Sequence, residues 1–115
     1  MAMISNLTID QGASFKAEID VKDSDGDALD LTGFTGAGQM RKTYSSSTKT
    51  DFDVEFKSPR TTGTVIITLT STQTNALKAG RFVYDVEITS PGSSGSDVTR
   101  VVEGQIDVTP GVTRA

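Results

Sequence analysis

The chain has 115 residues, 15 of them acidic and 11 basic, a formal charge of −4, and no Cys, His or Trp. Those absences exclude a thiol nucleophile, a disulfide framework, a Cys/His zinc site and a Ser-His-Asp relay within the chain. A net-acidic chain without a basic stripe argues against nucleic acid as the ligand, and no stretch approaches the roughly 20 apolar residues of a membrane span. One domain over 1–115 is the expected organisation, with possible extended arms at 1–7 and 109–115.

The opening residues lack a basic segment followed by an apolar run, so no signal peptide is expected. Asn6-Leu7-Thr8 fits a glycosylation sequon and is read as coincidence. A weak strand is expected over Asn6–Asp10. Phe15, Ala17, Ile19 and Val21 then alternate with Lys16, Glu18, Asp20 and Lys22, the period of two that puts one strand face in a core. Asp23-Ser24-Asp25-Gly26-Asp27 reads as a tight hairpin turn. A second weak strand is expected over Gly36–Lys42, followed by a polar loop at Tyr44, Ser45, Ser46, Ser47, Thr48 and Lys49.

Alternation returns at Phe52, Val54 and Phe56, and again at Val65, Ile67 and Leu69. Ser71 to Gly80 starts with capping residues and closes on Gly, which predicts one short helical turn near 71–78. Phe82, Tyr84, Val86 and Ile88 form a further apolar face. Pro91–Ser96 is a turn, and Val102, Gly104, Ile106 and Val108 form the last face, with Val101 and Glu103 on the opposite side. Together with 29 Ser and Thr and 11 Gly, this spacing predicts an all-β fold: an immunoglobulin-like antiparallel β-sandwich of about seven or eight strands.

Candidate chemistry is sparse. Asp23, Asp25, Asp27 and Asp30 are the only residues that suggest a metal site, a weak one for calcium. Their spacing puts Gly26 one position too early for an EF-hand loop, and Phe34 stands where a bidentate Glu is needed. A solvated acidic turn is therefore the favoured reading, with weak calcium binding as the alternative. Asp51 and Asp53, and likewise Asp85 and Glu87, share a strand face at about 6.5–7 Å, within the range of glycosidase carboxylates. Any charged strand face gives that spacing, and no cleft is indicated to separate their pKa values. The run Gly92–Ser96 lacks the Lys and the following helix of a phosphate loop. No catalytic residue and no cofactor are expected.

Several segments nevertheless fit one pattern. Ile9-Asp10-Gln11-Gly12-Ala13-Ser14-Phe15, Ala28-Leu29-Asp30-Leu31-Thr32-Gly33-Phe34 and Gln39-Met40-Arg41-Lys42 come first. Leu69-Thr70-Ser71-Thr72-Gln73-Thr74 with Gly80-Arg81-Phe82-Val83-Tyr84-Asp85-Val86-Glu87 follows, and Thr99 to Thr109 closes the series. In this order they resemble the small β-sandwich domains of virion structural proteins in tailed bacteriophages of the marine and cyanobacterial type, and the amino-terminal domain of baseplate upper proteins.

The resemblance runs from about Ile9 to Arg114. It implies a non-enzymatic attachment module in the tail, baseplate or neck, localised in the virion after assembly in the host cytoplasm. Its partners would be other virion proteins, with copies forming a homo-oligomer or symmetric ring and no contact with nucleic acid or membrane. With the sequence ending at Ala115, a small accessory or connecting subunit is the expectation. Capsid decoration is the alternative, and a carbohydrate-binding module a more distant one. Structural roles are expected for Leu29, Asp30, Leu31 and Gly33 at a sheet corner, Gly80 at a strand entry, Tyr84 as a buried ring with a bonded hydroxyl, and Gly104 in the last strand. The loop from Tyr44 to Lys49 is the expected contact loop.

Overall fold

The computed structural model describes residues 3–23, 25–91 and 98–111. Eight strands run in chain order: β1 (Met3–Ile4), β2 (Leu7–Asp10), β3 (Phe15–Asp20), β4 (Thr35–Arg41), β5 (Thr50–Phe56), β6 (Thr64–Leu69), β7 (Gly80–Thr89) and β8 (Val98–Thr109). They form two sheets joined by one strand. Residues Thr50 to Phe52 of β5 pair with β4, whereas Asp53 to Phe56 pair with β6. The larger sheet therefore runs β5–β4–β7–β8, and the smaller one β5–β6–β3.

Each alternating segment places its apolar set inward. Tyr84, Val86, Val102, Ile106 and Met40 from the larger sheet meet Ile19, Val65, Ile67 and Leu69 from the smaller one, and Leu31 and Leu77 complete the core. Burying such a side chain contributes roughly 1.5–3 kcal/mol each. Phe15, Ala17, Val21, Val54, Phe56 and Phe82 are half-buried against that core. One residue breaks the period. Val86 faces Val102 but Glu87 faces Arg100, so Val101 is an extra residue in β8. This bulge turns Val101 inward, leaving it only 8% exposed, rather than on the solvent face that alternation assigns it.

Two expectations change. The sandwich is antiparallel except at its first two strands, which lie parallel to β8. The amino-terminal arm is also not an arm over its described part. Met3 and Ile4 pair with Val102 and Glu103, and Leu7 to Asp10 continue in the same register against Ile106 to Thr109. At the other end, Thr109 closes β8 and Gly111 N donates to Gln11 Oε1 (3.0 Å). Residues 1–2, 24, 92–97 and 112–115, which carry part of both expected arms, Ser24 of the hairpin and most of the Pro91–Ser96 turn, lie outside the described residues.

The helical turn is α1 (Ser71–Asn75), with Ala76 to Lys78 following as an irregular turn. Thr70 and Gln73 cap it reciprocally: Gln73 N donates to Thr70 Oγ1 (3.2 Å) and Thr70 N to Gln73 Oε1 (2.9 Å). Thr74 is fully buried. Its hydroxyl donates to Ala13 O (2.8 Å) and accepts from Gly12 N (3.1 Å), tying α1 to the turn between β2 and β3. Gly80 then opens β7 with φ +139°, a conformation that side chains with a Cβ rarely adopt.

Candidate docking surface

Short polar side chains shape the β4–β5 connection. Ser46 N donates to Thr43 O (3.1 Å), and Thr43 N donates back to Ser46 Oγ (3.1 Å). Tyr44 and Ser45 therefore sit at the tip of a closed turn. Arg41, at the end of β4, donates to Ser46 O (2.6 Å) and to Gln39 Oε1 (3.0 Å), which holds the turn against the sheet. At the far side Lys49 Nζ reaches Asp51 at 2.8 Å, and that contact keeps the Asp51 carboxyl below its ordinary pKa. Tyr44 is 84% exposed, while the other six aromatics of the chain are buried or half-buried. An aromatic ring presented to solvent on a hydrogen-bonded turn has little entropy left to lose on contact.

Beside this turn the outer face of the larger sheet carries alternating charges. A hollow of about 340 Å³ is bounded by Gln39, Arg41, Tyr44, Asp85, Arg100 and Glu103, among others. Arg100 organises it, with Nε 3.2 Å from Asp85 and Nη1 3.0 Å from Glu103. Those two carboxylates hold the guanidinium more firmly in its charged form. The bulge at Val101 is what places Arg100 opposite Glu87, on the outer face with Asp85. By sequence Arg100 reads as an isolated cation, because its partner Asp85 is distant in the chain.

The acidic turn is built differently from a metal loop. Asp23 Oδ1 accepts from Asp25 N (2.9 Å) and Asp27 N (3.0 Å), and Asp23 N donates to Asp27 O (2.8 Å). Asp23 is thus used to close its own turn. Asp30 faces another segment, accepting from Thr32 N (3.0 Å) and Thr32 Oγ1 (2.6 Å), and these bonds lower its pKa. The four carboxylates Asp23, Asp25, Asp27 and Asp30, a weak calcium candidate by sequence, are therefore not brought together. Among the described residues no three Asp or Glu gather to hold a metal ion. The carboxylate pairs are likewise separated in role. Asp51 pairs across to Gln39 in one sheet and Asp53 to Thr68 in the other, while Asp85 is engaged by Arg100.

The Leu29–Phe34 corner rests on a residue that the sequence pattern does not single out. Phe34 N donates to Leu31 O (3.1 Å) with Gly33 at φ +81°, a turn that Asp30 and Thr32 brace. Arg60, in the short 3-10 turn Arg60–Thr62, clamps it from outside. Its guanidinium donates to Phe34 O (2.9 Å) and Leu31 O (3.3 Å) and stacks 4.7 Å from the Phe56 ring centre. Leu31 is fully buried beneath the corner.

Tyr84 and Gly104 act on the first strands. The Tyr84 ring is 4% exposed, edge-on to Phe52, and its hydroxyl donates to Ser5 O (2.6 Å). Burial pushes that hydroxyl's pKa above its ordinary value. With its carbonyl turned to Tyr84, Ser5 leaves Gln105 N to Asn6 Oδ1 (3.0 Å). Gly104 lies under this crossing, where a Cβ would collide with Ser5 O.

No family model matches the chain, and no curated protein matches it in sequence. Among solved structures it is similar to the Lin-41 filamin domain, at 17% identity and a TM-score of 0.50 over 90% of this chain and 84% of that one. It also matches AggA, the major subunit of aggregative adherence fimbriae type I from Escherichia coli, at 9% identity and a TM-score of 0.37, over 90% and 89% of the two chains. A family 123 glycoside hydrolase from Clostridium perfringens matches at 12% identity and a TM-score of 0.40, over 95% of this chain and 23% of that enzyme. The filamin likeness defines the fold as an immunoglobulin-like β-sandwich. At their scores, the other two bear on neither fold nor chemistry.

Proposed function

We propose that this chain is a non-enzymatic structural protein of a tailed-phage virion, an attachment module of the tail, baseplate or neck. The observation that carries a docking role is Tyr44, exposed on a braced turn beside a charged hollow. Tyr and Arg on a rigid support are the side chains that dominate protein–protein contacts. The phage assignment rests on the sequence resemblance of the segments from Ile9 to Arg114. Against an enzyme stands the use already made of the carboxylates, which close turns or pair with cations. Small contacts of this kind gain strength when copies repeat around a symmetry axis.

The test is to locate the chain in a cryo-EM map of the particle whose genome encodes it. Copies ringed about the tail axis, with the Tyr44 turn in the contact, are the expected result. Copies spread over the icosahedral shell would transfer the chain to capsid decoration. Absence from the particle would overturn both.

A further inference from the structure

The β3 edge of the smaller sheet is unpaired among the described residues, and its chemistry names a partner. Val21 N donates to Gly63 O (2.7 Å), and the same register continues through Ile19–Val65, Ala17–Ile67 and Phe15–Leu69. In an antiparallel ladder the residues exchanging both bonds alternate. The backbone groups of Phe15, Ala17 and Ile19 are thus spent on β6, and those of Lys16, Glu18 and Asp20 point away from it. The far side of β6 agrees, because Lys57 N donates to Thr64 O and commits the even residues of β6 to β5. No described strand takes the outward groups of β3, since β1 and β2 pair with β8. No Pro and no bulge interrupts the strand, and among the described residues charged side chains are its only protection.

We propose that this edge pairs with a second copy of the chain, antiparallel, about a twofold axis at Ala17. Only even residues carry free backbone groups, so the axis falls on residue 16, 17 or 18 in the three central registers. An axis at Lys16 sets Lys16 opposite the partner's Lys16, and an axis at Glu18 sets Glu18 opposite the partner's Glu18. At Ala17, Lys16 lies opposite the partner's Glu18 and Glu18 opposite the partner's Lys16, while the small Ala17 sits on the axis. Opposite charges directly across a ladder stabilise it and like charges oppose it.

On the inner face, the partner's Phe15 comes beside Ile19. That is the wall of a groove of about 810 Å³ whose lining includes Met3, Val21, Leu29, Phe34 and Val101. Pairing would join two three-stranded sheets into one of six, and each copy's Tyr44 turn would remain free beyond the opposite end of that sheet. The inference concerns the isolated chain and does not rest on a place in a virion.

The experiment is sedimentation velocity over a concentration series of the parent chain, Lys16→Glu, Glu18→Lys and their equimolar mixture. The parent is expected to shift from monomer to dimer as concentration rises. Each single variant sets two like-charge pairs across the axis and should remain monomeric at the highest concentration. In the mixture, one chain carries an acid at both positions and the other a lysine at both. Each cross-strand pair between them then joins opposite charges, so the dimer should return as a heterodimer. Both positions are exposed, and matching circular dichroism spectra would show the variants folded. A parent that is monomeric throughout overturns the proposal. So do single variants that dimerise like the parent, or a mixture that stays monomeric. A dimeric chain missing from the particle would retain this pairing while removing the virion assignment.

Discussion

The two sheets end on the same flank of the molecule, and their edges are treated in opposite ways. The β8 edge is covered by the chain's own first strands, whereas no described strand covers the β3 edge across the groove. Residues 3–10 lie along β8. Three side-chain features commit them to β8: Gly104 makes room for Ser5, Tyr84 holds the Ser5 carbonyl, and Asn6 satisfies Gln105 N. Nothing equivalent faces them from β3. That β8 is covered and β3 is not thus follows from a few side-chain contacts on β8.

The strongest way to break this asymmetry is Gly104→Ala. The added methyl would meet Ser5 O, and backbone cannot rotate aside as a flexible side chain can. We expect a loss of about 2–3 kcal/mol, the scale of overpacking in a filled site, read from urea unfolding. Parent-like stability would show that the first strands do not rest on β8 as described.

Thr74→Val comes next. It keeps the volume but strands Gly12 N and Ala13 O at the turn that delivers the chain from β2 to β3. The expected cost is about 1–2 kcal/mol, because two part-buried hydrogen bonds are lost. Thr74→Ser should recover most of it, which separates the hydrogen bonds from simple packing.

Tyr84→Phe removes only the bond to Ser5 O and should cost about 1 kcal/mol at neutral pH. Its pH dependence is the sharper signature. Burial raises the Tyr84 pKa, so the folded chain keeps a proton that the unfolded chain releases near its ordinary value of about 10. The contribution is therefore complete below about pH 10 and declines as pH rises through the folded value. Subtracting the Tyr84→Phe profile from that of the parent should leave this falling limb. Equal alkaline profiles for the parent and Tyr84→Phe would contradict the burial of that hydroxyl.

Much of this architecture was legible because a period of two is a local signal. The inward sets at 15–21, 65–69, 82–88 and 102–108 needed only alternation, and the turn at 71–75 only its capping residues. What escaped depends on contacts between distant segments. Val101 turns inward through a bulge that no pattern within β8 announces. Met3 and Ile4 become a strand only because Val102 and Glu103 face them, and Arg60 clamps a corner 26 residues away from it in the chain. The Asp23–Asp30 cluster shows the converse. Four carboxylates close in sequence suggested one site, but Asx-type bonding to the nearest backbone N–H groups divides them between two turns.

The smallest energetic effect belongs to the open edge. The Lys16–Glu18 contact of 3.8 Å is between exposed side chains, so Lys16→Ala should change the stability of the dilute monomer by less than about 0.5 kcal/mol. The backbone there should still report its geometry. In amide hydrogen exchange on the monomer, Ala17 and Ile19 should be protected by β6, and Lys16 and Glu18 should exchange quickly. Raising the concentration should slow Lys16 and Glu18 together, because pairing about Ala17 makes those two residues exchange bonds across the axis. Uniform protection along β3 at every concentration would mean that its outer edge is already covered. Slowing at Asp20 while Lys16 stays fast would move the axis along the strand towards its carboxyl end.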